Sequence, residues 1–338
     1  MEMSRRNLLA SAVAAPFVLR TGFASAAQTL KISHQFPSSN GESGDFRDRA
    51  CRKFAAELEK RTNGELNAQV FSDSSLMKTV PQFSALRKGA LDFTFYPLSY
   101  AGGEVAETNI GLMPCLVTSY EQGAAWKKAP IGQKLAQLLS DKGVVVVSWI
   151  WQSGGIASRD KQLITPADAK GMKIRGGSRE FDMMLAQAGA ATLNIPSNES
   201  YAALQTGACD SVITSSTSLI SFRMEEIAKH LTSGRGHSIW FMLEPLLMSK
   251  QIFDSLTQKQ RDTIMEIGGE LEAFGTQGAQ ADDQRIEEVF SKAGAKIATM
   301  DDETLAQWRK LAEETAWKDF AARNSSCADF LKLAQAVA

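Results

Sequence analysis

Met172 to Arg175 reads as a short strand, and Gly176-Gly177 interrupts it directly after the arginine, where the absence of side chains lets a ligand approach the backbone. A guanidinium held at a strand end presents paired N–H donors that match a carboxylate or sulfonate in a planar fork. Ser178 follows as a helix cap and as a further hydroxyl for the same anion. Downstream, Thr214 begins a hydroxyl run that continues to Ser218, and Thr214 and Ser215 are candidates to hydrogen-bond the same head group. The competing reading of Arg175 is an ion pair with Glu180, Asp182 or Glu199, because such pairs are common and contribute little.

Other chemistry is not encoded in recognisable form. The three histidines, His34, His230 and His237, lack HExxH or related metal spacing, and there is no G-x-S-x-G elbow. Gly234-Arg235-Gly236 lacks the third glycine and the strand-turn-helix setting of a dinucleotide site. No catalytic residue, metal or cofactor is therefore expected. Cys51, Cys115, Cys209 and Cys327 form no CxxC pair, and a formal charge of -1 gives no nucleic-acid footprint. Aromatic residues offer an apolar wall for a ligand. Trp149 and Trp151 fall on one side of an extended strand, with Trp151 preferred as the cleft residue, and Tyr96 and Trp240 join it. Gln35, Phe36, Asn40 and Ser99 are further cleft candidates, against which stand core roles for Phe36, Tyr96 and Trp240 and a turn role for Asn40.

These residues need elements to position them, and hydrophobic periodicity supplies an alternating series. Strands are expected at Leu30–His34, Leu66–Phe71 and Leu91–Tyr96, with helices through Phe46, Ala50, Phe54 and Leu58 and over 80–88. A single helix is expected over 119–141, followed by a doubly buried apolar strand over 144–149. The segment 168–214 reads strand, helix, strand, helix, strand, a pattern that builds a parallel sheet binding ligands at its strand ends. A helix over 215–229, extended chain over 230–249, and a Thr257-capped long helix to Ala293 follow, the last softened by Gly268, Gly269, Gly275 and Gly278. Helices over 301–322 and 327–337 close the chain.

The first 26 residues read as an export signal of the twin-arginine type: Ser4-Arg5-Arg6-Asn7-Leu8-Leu9, an apolar run to Leu19, and Ala24-Ser25-Ala26 before cleavage. Loss of Glu2, Arg5, Arg6 and Arg20 would take the formal charge from -1 to -3.

Lys170-Gly-Met-Lys-Ile-Arg175, then Tyr201-Ala-Ala-Leu-Gln-Thr-Gly207 and Asp210, closely resembles the signature segment of TRAP-transporter solute receptors, the DctP-like periplasmic binding proteins. The resemblance implies a two-lobed α/β periplasmic-binding-protein fold with a ligand cleft between the lobes and a long connecting helix. It divides the chain into lobe I (27–150), lobe II (151–235), a return to lobe I (236–270), the connecting helix (257–293) and C-terminal helices packing on lobe II (294–338). It also implies that Arg175 clamps the carboxylate of a small organic anion, delivered by a periplasmic monomer to integral-membrane permease subunits. Three departures bear on the ligand. A second arginine of many members falls by count near Gly155, the usual glycine after Asp210 is Ser211, and a frequent asparagine is Thr214. With one cation fewer, a monoanion such as a keto, hydroxy or aromatic acid is expected. A sensory receptor for the same ligands and a periplasmic enzyme acting on a carboxylate are the alternatives.

Overall fold

The computed structural model describes residues 27–337, so the export-signal reading of residues 1–26 lies outside the described residues. The chain runs β1 (Gln28–Ser33), α1 (Phe46–Arg61), β2 (Leu66–Phe71), α2 (Gln82–Arg87), β3 (Phe93–Phe95), α3 (Tyr120–Trp126), α4 (Pro130–Asp141) and β4 (Val144–Ser148). It continues through β5 (Trp151–Ser158), β6 (Lys173–Arg175), α5 (Arg179–Gln187), β7 (Ala191–Thr192), α6 (Ser200–Thr206), β8 (Ser211–Ser215), α7 (Ser216–Ser221), β9 (His230–Ser233) and β10 (Phe241–Leu243). β11 (Leu246–Ser249), α8 (Lys250–Ser255), α9 (Gln258–Lys292), β12 (Lys296–Thr299), α10 (Asp302–Ala312), α11 (Lys318–Arg323) and α12 (Ser325–Gln335) complete it.

Two sheets define two lobes. The first has the order β2-β1-β3-β11-β4, and the second β12-β9-β5-β8-β6-β7, with β10 paired to the start of β5. The strand-helix alternation produces parallel pairs at β1–β2, β1–β3, β6–β7 and β6–β8. β11 is antiparallel to β3 and β4 because it enters from the other lobe, and β5 is antiparallel to β8 and β9 for the same reason. The chain crosses between sheets at Trp149-Ile150 and at Glu244-Pro245, and the Glu244 N–H donates to the Ile150 carbonyl at 2.8 Å.

α9 spans both lobes, packing on α1 and β4 in one and on β5, α7 and β12 in the other. Thr257 and Gln260 form a capping box at its start. Three of the four glycines expected to soften it are close-packing points instead: Gly268 lies on Val147, Gly275 on Ile150 and Gly278 on Phe46, where a methyl group would collide, while Gly269 faces open space. The cost of those three in helix propensity is offset by the approach of neighbouring elements.

Three expectations need correction. The helix over 119–141 is two helices, because Pro130 has no N–H to continue α3 and opens α4 instead. The strand β4 is apolar and buried on both faces as expected, by α4 and α9, although it sits at a sheet edge. The helix over 215–229 stops at Ser221, and Arg223 turns the backbone into the left-handed region at φ 58°. The C-terminal helices pack on both lobes rather than on lobe II alone. The Trp308 indole N–H donates to the Ile164 carbonyl at 2.7 Å, while that of Trp317 donates to the Pro114 carbonyl at 2.9 Å, and α12 lies against α4. The four cysteines are buried free thiols.

Candidate functional site

β6 delivers Arg175 to the line where the lobes meet, and the side chain is 1% exposed. Its Nε donates to the Ile195 carbonyl at 3.0 Å, its Nη1 to the Ile213 carbonyl at 3.0 Å, and its Nη2 to the Tyr100 hydroxyl at 2.7 Å. A guanidinium carries five N–H donors, so these neutral acceptors orient the fork and leave donors over. The ion-pair reading fails on geometry. Glu180 lies 3.3 Å from Arg323, the Asp182 carboxylate accepts from Asn194 at 3.1 Å, and no ion pair involves Glu199 among the described residues. Burial raises the Asp182 carboxyl to about 6 against the opposing pull of Arg175. The guanidinium charge is therefore buried without an ion-paired carboxylate of this chain among the described residues, an arrangement that costs free energy.

Local sequence explains the mounting. Gly177 adopts φ +92°, and a Cβ there would sit 2.8 Å from Arg175 Nη1, so glycine serves both the turn and the guanidinium. Ser178 caps α5 by accepting the Phe181 N–H at 3.2 Å and donates to the Leu112 carbonyl at 3.3 Å. Thr214 and Ser215 end β8 beside the Ile213 carbonyl that holds Arg175; both are buried, and Ser215 caps α7 by accepting the Ser218 N–H at 3.1 Å.

The lobes touch along this line. Tyr100 accepts from both Arg175 and the Ser197 N–H (3.0 Å), Ser99 donates to the Gly177 carbonyl at 3.4 Å, and Asn198 donates to Ser74 at 3.4 Å. A recess of about 570 Å³ opens beside Arg175, walled by Ser99, Tyr100 and Asn109 from lobe I and by Gly177, Ser178 and Ile195 from lobe II.

The other candidates divide. Tyr96 is buried beside Tyr100, ring centroids 6.0 Å apart, with its hydroxyl donating to the Val80 carbonyl at 3.2 Å. Burial raises its phenol well above the usual range, so it remains a neutral donor. Trp240 is buried over Gly154, its indole N–H without a partner. Gln35 is buried with its amide nitrogen unpartnered, whereas Phe36 lies beneath the Arg47 guanidinium, 3.6 Å from the ring centroid, as a core residue. Two candidates fall away from Arg175. Trp151 packs edge-on to Trp126 at 5.0 Å and borders the α9 side with Trp149, as their shared strand face requires. Asn40 is exposed on a tight turn, with backbone bonds to Ser43. Gly155 has no room for the second arginine: even a Cβ would lie 2.8 Å from the Thr232 carbonyl.

Tyr100, Ser197 and Asn198 were not anticipated. Tyr100 stands four residues after Tyr96, but nothing local to it signals contact with a residue 75 positions away. Among the described residues, no group of three or more His, Cys, Asp or Glu is placed to hold a metal, and no helix is long and apolar enough to cross a membrane.

Two lobes joined by paired crossing strands and a spanning helix, with a buried arginine at their meeting line, define a binding protein that holds its solute between lobes. Residues 38–324 match the model of the bacterial extracellular solute-binding protein family 7, DctP, and the chain belongs to that family, the TRAP-type receptors. It is 56% identical over 338 residues to a solute-binding protein of Albidiferax ferrireducens, covering 98% of this chain and 99% of that one. The crystal structure of a TRAP periplasmic solute-binding protein from Rhodoferax ferrireducens with bound malonate is 58% identical, with a TM-score of 0.89 over 90% of this chain and 97% of that chain. The C4-dicarboxylate-binding periplasmic protein DctP of Rhodobacter capsulatus is 25% identical over 273 residues, covering 78% of this chain and 79% of its own.

Proposed function

We propose that this protein is an extracytoplasmic receptor that binds a short organic acid with its carboxylate on Arg175 and delivers it to a TRAP-type membrane permease. The observation that carries the reading is the Arg175 guanidinium, buried at the lobe interface and held by neutral acceptors alone. Residues 1–26 would export the chain to the periplasm, where it acts as a monomer without catalysis. Binding works as a population shift: the ligand contacts both lobes only when they close, so its differential affinity favours closure. Tyr100, Ser178, Thr214 and Ser215 surround the anionic head, while Tyr96 and Trp240 limit the tail.

The missing second arginine favours a monoanion, whereas malonate, the ligand in the 58% identical relative, is a dicarboxylate. The class is therefore drawn as short carboxylates of one or two charges. A thermal-shift comparison of malonate, pyruvate, benzoate and a neutral sugar tests it, with Arg175→Met beside the parent protein. At about 100 times its dissociation constant, a true ligand adds about 2.7 kcal/mol. A rise with an acid that disappears in Arg175→Met supports the reading; a rise with the sugar alone, or an equal rise in the variant, overturns it.

A further inference from the structure

Arg179 opens α5 and Arg323 closes α11, and both line the recess of about 570 Å³ at the lobe junction. Among the described residues, no aspartate or glutamate lines it. Arg175 does not line it either: Tyr100 and Gly177, which touch the Arg175 fork, form the wall between the two. The recess is a cationic space next to the Arg175 position and separate from it.

The carboxylates that balance these arginines stand behind the lining and are unequally placed. Asp319 takes Arg179 with both oxygens, Oδ1 accepting from Nη2 at 3.3 Å and Oδ2 from Nη1. Arg323 has Glu180 Oε1 at 3.3 Å from its Nη1 and Asp319 Oδ2 at 3.6 Å from its Nε, but Nη1 is buried without a hydrogen-bond partner and 3.6 Å is too long for one. Burial pushes the Glu180 carboxyl up to about 7, so near neutral pH it offsets Arg323 only in part. Two guanidiniums face one recess with less than two full negative charges to balance them.

Lobe I supplies a second unmet donor. Asn109, on the 3-10 turn Ala106–Leu112, is 2% exposed and lines the recess, and its Nδ2 has no hydrogen-bond partner. Gly102 makes room for this amide, since a Cβ there would collide with it. A buried amide and a guanidinium without a hydrogen-bonded acceptor each cost free energy, and the oxygens of a single anion can satisfy both.

We propose that this recess is a second anion site, in which Arg323 and the Asn109 amide take a small oxyanion, carboxylate or tetrahedral, independently of Arg175. A cationic recess at the lobe junction concentrates anions beside the Arg175 position, which raises the rate at which an acid arrives there. The site goes beyond the receptor reading and does not depend on it, because Arg175 lies outside the recess lining.

The test is equilibrium dialysis of labelled sulfate and labelled malonate against Arg175→Met protein, in a chloride background and at concentrations too low for general salt stabilisation. Arg323→Met and Asn109→Ala are each added to that variant. The expected result is that Arg175→Met still binds one equivalent of anion, with affinity about 10-fold lower once Arg323→Met is added and also lowered by Asn109→Ala. Binding of malonate assigns the recess to organic acids, and binding of sulfate alone assigns it to inorganic oxyanions. No binding of either anion by Arg175→Met, or an affinity unchanged by Arg323→Met, overturns the proposal and leaves the Arg175 clamp to be judged by its own thermal-shift result. Should the Arg323→Met protein not fold, Asn109→Ala decides: weakened binding supports the site and unchanged binding overturns it.

Discussion

Arg175 Nη2 donates to the Tyr100 hydroxyl at 2.7 Å, joining the end of β6 in one lobe to the segment after β3 in the other. Because the same oxygen accepts the Ser197 N–H, Tyr100 both orients the fork and holds the lobes together beside it.

Tyr100→Phe removes that acceptor and leaves the rest of the fork in place. The expected loss in affinity for the carboxylate ligand proposed above is about 10-fold, the worth of one hydrogen bond to a charged group. Arg175→Met loses about 30-fold or more. Titration calorimetry checks both, and an affinity within twofold of the parent for Tyr100→Phe would contradict a role in presenting Arg175.

Arg47 holds a second buried cluster at the lobe crossing. It lies 2.6 Å from Asp45 and 3.2 Å from Glu244, and donates to Ser218 at 3.0 Å, all fully or nearly fully buried. Arg47→Met strands two carboxylates and should cost about 3–5 kcal/mol in urea unfolding. Glu244→Gln keeps the Asp45 pair and should cost much less. Equal losses for the two variants would show that the arginine is not the centre of the cluster.

Burial pushes the Glu180 carboxyl up to about 7, with Arg323 opposing, and pushes Glu244 up to about 7, with Arg47 opposing. Both ordinary values are 4.5, so between 4.5 and about 7 the folded protein binds more protons than the unfolded chain. Their contribution to stability is full below 4.5 and is lost as pH rises through about 7. Glu180→Gln should flatten that decline in melting temperature between pH 5 and 8; an unchanged slope would remove Glu180 as a source.

Gly268 and Gly269 are adjacent in α9 but differ in surroundings. A Cβ at Gly268 collides with the Val147 carbonyl, while nothing lies within 4 Å of one at Gly269. Gly269→Ala should stabilise by about 1 kcal/mol through helix propensity, and Gly268→Ala should destabilise despite the same propensity gain. Melting temperatures that move in the same direction would refute the packing account.

The sequence by itself determined most of the local structure: the β6 strand, its Gly-Gly stop and the Ser178 and Thr257 caps were all legible, because turns, caps and apolar periodicity act within a few residues. It also singled out Arg175, since an arginine at a glycine-terminated strand end is a local pattern. Only the tertiary structure decided what surrounds that arginine. Tyr100 reaches it from 75 residues upstream and the Ile213 carbonyl from 38 downstream, and neither leaves a periodic or motif signal at its own position. Trp151 and Asn40 were misplaced for the converse reason. Their residue types suit a cleft, but the face a strand presents and the site a turn borders depend on how the lobes pack, and packing sums many weak long-range contacts that no short window of sequence contains.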